Sequence, residues 1–322
     1  MRYKIGVNLH PSSLTSLTKG LVSMLDLFQE VGFEVVELPV DGLQVIANGM
    51  LVEKRVSMIK RILDKYDFEY SVHAPNYLNL MDIPQIDLQR EVFSSVIDFA
   101  SFIGSEMIVY HSGRMDHKEI KVDAEEQAKR VMEIEVEELS KMSEKAVKED
   151  IYIGVENACS VLSTFANFEK RLPEQTLFDY GANLINLKEQ IERVNKQNVG
   201  ITLDLGHAYI SSKHLRFDFL EQVKLIADKV IHVHIHDNFG KVEKPLEDHV
   251  KLLPFGFHDL HLPPKWGTVP LERVLKYLDV QRYILEIRPV WEAYREAKEN
   301  LEFLLSQYSV PAESSIKIRY RE

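Results

Sequence analysis

The sequence predicts a single TIM-type (β/α)8 barrel. Eight strand-like segments alternate with helical segments, with no break in composition between them. The dinucleotide fingerprint Gly-x-Gly-x-x-Gly, which would favour a doubly wound open sheet, is absent after the first strand. Six successive strands end in a His, Asp or Glu, at the rim where a barrel gathers its chemistry.

The first unit is a short apolar strand over 4–9, then a helical pattern over 19–31 that Gly32 ends. A strand at 35–40 and a helix at 51–66 follow, the helix carrying Val52, Val56, Ile59, Ile62 and Leu63 at helical spacing. The third and fourth units are strand 69–74, helix 88–103, strand 107–111 and a long charged helix over 123–148. Gly104 stands where a helix C-terminus favours a residue tolerant of the left-handed conformation. The fifth to seventh units are strand 152–157, helix 184–195, strand 199–205, helix 217–228 and strand 230–237. Helix 271–278, strand 283–287 and helix 291–308 close the series. The expectation is one domain over 1–322, with an irregular segment at 158–182, a long loop at 238–268 rich in proline and glycine, and a tail at 310–322 without periodicity.

Composition is that of a globular protein with a sizeable core, 45% hydrophobic and 28% charged. A net charge of −11 argues against a surface built only to neutralise phosphates. One cysteine, Cys159, excludes an internal disulfide and fits a reducing compartment. No apolar run is long enough to cross a bilayer, and residues 1–9 lack the apolar core of a signal peptide, so the expectation is a cytoplasmic protein without membrane partners.

The stretch Val230-Ile-His-Val-His-Ile-His-Asp237 sets three imidazoles on one face of a strand and aliphatic side chains on the other. Buried ring nitrogens need hydrogen-bond partners or a metal. The other strand ends make the case collective: His73, His111, Glu156, Asp204 with His207, and Glu286, with hydrogen bonding to substrate the alternative for His73 and His111 taken singly. Parity turns Glu156 and Glu286 toward the barrel axis, away from the helix-facing aliphatic row. Few basic residues share these positions, Arg288 being the nearest, so a divalent metal is the expected partner of the acids. Comparison across strands selects His234 as the ligand of its strand; His232 lies deeper as a packed barrel histidine.

In order and strand position, His73-Ala-Pro-Asn-Tyr-Leu-Asn-Leu80, His111-Ser-Gly113, Glu156-Asn157, Asp204-Leu-Gly-His207, His234-Ile-His-Asp237, Asp259-Leu-His261 with Gly267, and Glu286 resemble the xylose isomerase-like barrels. That superfamily includes sugar-phosphate isomerases and epimerases and the endonuclease IV (AP endonuclease family 2) branch, which the ligand set resembles more closely. The resemblance to endonuclease IV implies up to three zinc ions held by His73, His111, Glu156, Asp204, His207, His234, Asp259, His261 and Glu286. An isomerase or epimerase would need Glu156, Asp204, His234 and Glu286 alone, with Mn, Mg, Co or Zn. The Asp259-x-His261 pair discriminates the two, although His249 and His258 make that loop rich in histidine in any case. Asn76, His236, Asp237 and Arg288 are candidate substrate contacts, and the nuclease's DNA-inserting tyrosine falls on Asn76, beside Tyr77. Glu37-Leu-Pro at the end of the second strand resembles the isomerases.

Two activities are therefore expected. One is phosphate-ester hydrolysis, on abasic sites in damaged DNA or a related substrate, with Glu156 and Glu286 as catalytic carboxylates. The other is isomerisation or epimerisation of a small sugar or sugar phosphate, with the same two glutamates moving the proton. A metal-free sugar-binding barrel is a third, non-catalytic reading, disfavoured because the ligand set is intact.

Overall fold

A computed structural model describes residues 3–14, 17–115, 124–159, 179–241 and 253–308. Eight parallel strands close on themselves: β1 (Lys4–Asn8), β2 (Val35–Pro39), β3 (Glu69–His73), β4 (Met107–His111), β5 (Tyr152–Glu156), β6 (Val199–Asp204), β7 (Val230–Ile235) and β8 (Arg282–Leu285). Each pairs with its neighbours in sequence, and β8 returns to β1 with Ile284 opposite Gly6. This is the expected closed (β/α)8 barrel.

The principal helices are α1 (Leu17–Val31), α2 (Glu53–Leu63), α3 (Ile86–Ile103), α4 (Ala124–Ala146), α5 (Leu184–Val194), α6 (Leu205–Leu215), α7 (Phe219–Ile226) and α8 (Tyr294–Ser306). Gly104 ends α3 at φ 77°, its N–H meeting the carbonyls of Ala100 and Ser101, as the sequence led us to expect. Helix α6 was not anticipated. It buries Leu205, Gly206, His207, Ala208, Ile210, Ser211 and Ser212, so it lacks the polar face that makes a helix visible in sequence. A two-stranded hairpin, Ile46–Ala47 with Met50–Leu51, also went unpredicted. Residues 160–178, 242–252 (with His249) and the tail 310–322 lie outside the described residues.

Strand parity divides the core in two. Outward-facing Val7, Val36, Leu38, Val72, Ile108, Ile153, Val155, Ile201, Leu203, Val233, Ile235 and Leu285 belong to one large cluster with the helices. Val35, Val109 and Ile284 are fully buried yet stand apart from that cluster, because they point to the axis. The axis is unusually polar for a barrel: Glu37, Ser71, Thr202 and His232 are all buried there. The Ser71 hydroxyl donates to Glu37 Oε2 at 2.9 Å and His232 Nε2 lies 3.0 Å from the same oxygen, forming a polar floor beneath the rim. At the opposite face Arg282 bridges Glu69 and Glu106 at 3.1 and 3.0 Å.

Candidate metal centre

Register places the rim residues side by side. His111 is opposite Glu156 in the β4–β5 ladder and Asp204 is opposite His234 in the β6–β7 ladder. Glu286 lies just beyond β8, held by its N–H donating to the Ile235 carbonyl at 3.0 Å. The ends of β5 and β6 are tied by a two-way amide clamp: Asn157 Nδ2 donates to the Asp204 carbonyl at 3.0 Å, and Asp204 N–H donates to Asn157 Oδ1 at 2.7 Å. Asp204 also caps α6, Oδ1 accepting from His207 N–H at 2.6 Å, which fixes the carboxylate at the helix N-terminus.

The nine residues implied as ligands gather into three donor groups, each with its ligand atoms within 4.8 Å of one another. The first is His73, His111 and Glu156, with the Nε2 atoms of His73 and His111 at 3.4 and 3.1 Å from Glu156 Oε2. The second is Glu156, Asp204, His234 and Glu286, with His234 Nδ1 at 2.9 Å from Glu286 Oε2 and 3.3 Å from Glu156 Oε1. Glu156 thus turns one oxygen to each group. The third is His207, Asp259 and His261 with the addition of His236. There His207 Nε2 and His261 Nε2 lie 3.1 and 2.7 Å from Asp259 Oδ2.

A loop delivers the third group. Asp237 and Leu262 exchange backbone hydrogen bonds of 2.7 and 2.9 Å, so the chain folds back beside the end of β7 and sets Asp259 and His261 over His236. His258 and His261 adopt left-handed φ of 65° and 48°, costly for residues with a side chain and held here by the surroundings. The Trp291 indole donates to the carbonyls of Leu260 and His261 at 3.2 and 2.9 Å.

Electrostatics suit the cluster to cations. Glu37, Glu156, Asp204 and Asp259 are almost wholly buried, and no lysine or arginine among the described residues pairs with any of the four carboxylates. Burial alone would push the Glu156 carboxyl up, but the charges of His111 and His234 outweigh it and hold the group well below the usual range. Asp259 behaves likewise beneath His261, His207 and His236. Burial would lower His73, yet Glu156 raises it to about 9. Burial likewise opposes the charged forms of His207 and His234, and the carboxylates facing each drive both well above an ordinary imidazole. Protons thus stand where cations would, and ions binding there must displace them.

The donor chemistry fits divalent metal. Glu156 Oε2, Asp204 Oδ2, Asp259 Oδ1 and Glu286 Oε2 are buried without a hydrogen-bond donor of good geometry. His73 Nδ1 donates to the Ala74 carbonyl at 2.8 Å and His261 Nδ1 to the Glu286 carbonyl at 2.8 Å, which fixes the tautomer that leaves each Nε2 lone pair free for a metal. Zinc, with its taste for imidazole and carboxylate, suits all three groups.

Other expected contacts fall differently. Asp237 spends its carboxylate on the backbone N–H groups of Asn238, Lys265 and Val269 at 2.9, 3.0 and 2.9 Å, shaping the loop. Asn76 is fixed through its backbone, its N–H donating to Asp41 and its carbonyl accepting from Arg114, while Tyr77 beside it is 83% exposed. Arg288 donates to the Asp259 carbonyl at 3.4 Å. Glu37, given no site role from sequence, holds His234 from below, its Oε1 lying 2.9 Å from Nε2. Parity would have found it, since it shares the inward face of β2 near the strand's end.

Residues 25–307 match the family described as xylose isomerase-like TIM barrel. The chain belongs to that family. Among curated relatives of this xylose isomerase-like barrel, one uncharacterized protein of Methanocaldococcus jannaschii is 28% identical over 73% of this chain and 72% of its own length. A second from the same organism is 26% identical over 76% and 81%. Similar solved structures include a D-tagatose 3-epimerase-like protein (24% identity, TM-score 0.67, covering 95% of this chain and 98% of that one). The IOLI protein with a bound zinc atom is 17% identical with a TM-score of 0.64, over 95% and 100% of the two chains. The 3-keto-D-glucoside 4-epimerase YcjR of E. coli is 12% identical with a TM-score of 0.62, over the same shares. At these identities the likeness to the solved structures is one of fold. No helix among the described residues is long and apolar enough to cross a membrane.

Proposed function

We propose that this barrel is a polynuclear, zinc-dependent phosphoesterase of the endonuclease IV type, acting on phosphate esters such as those at abasic sites in DNA. The observation that carries the reading is Glu156: one oxygen faces His73 and His111, the other faces His234, so a single carboxylate serves two donor groups. Two neighbouring ions sharing one carboxylate would use that division. When bound, clustered divalent ions would lower the pKa of a coordinated water and offset the charge of a phosphate.

The chain's own residues do the rest. Glu156, 1% exposed, is locked in place and holds its charge between the two groups. The Glu286 side chain is 16% exposed and opens toward the rim, where it can orient a water and accept its proton. His73, His111 and His234 fix the donor positions through the contacts described above. The wall of buried side chains beneath them keeps bulk water out.

Purified protein loaded with zinc should cleave a duplex oligonucleotide with an abasic site, or bis(p-nitrophenyl) phosphate, and Glu286→Ala should abolish cleavage and lower bound zinc. Full activity in that variant would sink the assignment.

A second reading rests on a specific feature: Glu156, Asp204, His234 and Glu286 form a sufficient four-donor site by themselves. A single Mn, Mg, Co or Zn ion there, with Glu156 and Glu286 exchanging a sugar's carbon-bound proton, makes a sugar isomerase or epimerase. Elemental analysis separates the two. Two or three zinc per chain supports hydrolysis, whereas one exchangeable Mn or Mg, with deuterium incorporation into a ketose from heavy water, supports isomerisation.

A further inference from the structure

Arg288 follows the rim carboxylate Glu286 by two residues on the chain leaving β8. Ile287 between them is buried in the outer apolar cluster, so alternation turns Glu286 and Arg288 to the same, inner side. The Arg288 backbone is extended, at φ −76° and ψ 137°. Its N–H donates to the His261 carbonyl at 3.3 Å, and its carbonyl accepts from the Trp291 N–H at 3.1 Å. A guanidinium is therefore mounted on fixed backbone, roughly 6–7 Å beyond Glu286 along the strand direction.

Its side chain is under-engaged. Among the described residues it makes one long hydrogen bond, from Nη2 to the Asp259 carbonyl at 3.4 Å, and Nε is sealed from solvent without an acceptor. Burial weakens its hold on the proton more than the charges of Asp259 and Glu286 strengthen it, so no close counter-charge offsets its desolvation. Arg90 shows the same edge satisfied: Nε and Nη2 take the two oxygens of Glu138 at 2.6 and 2.9 Å. Other cations of the rim loops are committed. Arg114 gives both Nη atoms to the Asn76 carbonyl, Lys241 Nζ donates to the Phe255 carbonyl at 3.1 Å, and Lys265 Nζ lies 4.0 Å from the centre of the Phe303 ring. Of these four, Arg288 is the one whose paired donors lack a close acceptor.

We propose that Arg288 grips the anionic group of the substrate, its Nε and Nη2 taking two oxygens of one phosphate. This rests on the phosphoesterase reading and narrows it to substrates whose phosphate presents two free oxygens beside Glu286. The long bond to the Asp259 carbonyl is what Arg288 gives up. A guanidinium meets such an oxygen pair with two parallel hydrogen bonds, whereas an ammonium acts only as a point charge. The protein carries a net charge of −11 and gathers Glu37, Glu156, Asp204, Asp259 and Glu286 at this site. An approaching anion therefore needs a fixed positive group at the mouth, and Arg288 supplies one without being a metal donor. Two sources present such a phosphate, a nucleic-acid backbone and a sugar phosphate.

Calorimetric titration of zinc-loaded, full-length protein with inorganic phosphate tests the proposal. Arg288→Ala should bind phosphate ~10–100-fold more weakly while keeping its zinc by elemental analysis. With bis(p-nitrophenyl) phosphate its KM should rise more than kcat falls, and free guanidinium ion should restore part of the loss. Arg288→Lys, which keeps the charge without the fork, should stay weaker than the wild type. In wild-type protein phosphate should shift the Arg288 Nε–H resonance, identified by its absence from the Arg288→Lys spectrum. Unchanged phosphate affinity in Arg288→Ala with zinc retained overturns the proposal; where that variant loses zinc, Arg288→Lys carries the same comparison. Loss of zinc from both variants also overturns it, because Arg288 then serves to pin the Asp259 loop. Phosphate binding that depends on Arg288, without hydrolysis of any ester, supports the grip and overturns only the phosphoesterase reading. Tighter competition by an abasic oligonucleotide or by a ketose phosphate identifies the source.

Discussion

Glu37 Oε1 lies 2.9 Å from His234 Nε2, and the opposite nitrogen of the same ring lies 2.9 Å from Glu286 Oε2. One imidazole therefore joins the polar floor of the barrel to its rim. A carboxylate behind a ligating histidine fixes its ring and raises its basicity. Glu37→Gln should weaken zinc binding by about 10–100-fold, read by competition with a chromogenic chelator. Unchanged affinity would show that Glu37 serves packing alone.

The Asn157 amide holds the backbone of Asp204 in both directions. Asn157→Ala leaves the buried Asp204 N–H unmatched, while its carbonyl, at the N-cap of α6, keeps its helix bond, at a cost of about 1–3 kcal/mol. Urea unfolding of the metal-free protein measures it, and a loss below ~0.5 kcal/mol would mean that water replaces the amide without penalty.

Glu135 on α4 is buried and accepts from the Tyr110 hydroxyl at 3.0 Å, Gly113 N–H at 2.7 Å and the Gln190 amide at 3.0 Å. It ties the turn after His111 to two helices. Glu135→Ala should cost about 3–5 kcal/mol through three orphaned donors and a cavity. The variant should also release metal faster, because Gly113 follows His111 so closely; equal stability by denaturant titration would refute this account.

Burial, with the neighbouring Glu135 charge adding to it and Arg114 opposing, pushes the Asp179 carboxyl up from 3.8 to about 7. The folded state thus holds this proton more tightly than the unfolded chain. Stability is undiminished below about pH 4, falls as pH rises from there to about 7, and levels off above. Asp179→Asn carries no such charge. It should match the wild type in stability near pH 4 and exceed it by about 2–4 kcal/mol at pH 8, seen as a Tm difference that opens with pH. A difference independent of pH would place the ionisation elsewhere.

The barrel was legible because each parallel strand must bury its outward row against a helix and turn the alternate row to the axis, and this period-two code survives in sequence at Ile153 to Glu156 and Ile284 to Glu286. The strand ends were legible for the same reason. Helix α6 was not, since a helix buried nearly all round has no amphipathic stripe. The position of His236 beside Asp259 and His261 was not legible either: it depends on a loop doubling back through the Asp237–Leu262 pairing and on left-handed backbone at His261, neither of which has a local signal in side-chain pattern. Glu37 escaped for a different reason. It was read as a feature of strand two alone, while its partners, His232 and His234, lie 195 and 197 positions along the chain.

Alternation in β7 also bears on how the chain finds its register. His232, His234 and His236 point inward only in one alignment against β6 and β8; a slip by one residue would exchange them for Val233 and Ile235 and turn every imidazole toward the helices. Such a slipped barrel would keep much of its apolar contact but could not capture an ion. Any cation that binds these donors therefore acts as a proofreader of strand alignment, drawing the population toward the one arrangement able to hold it.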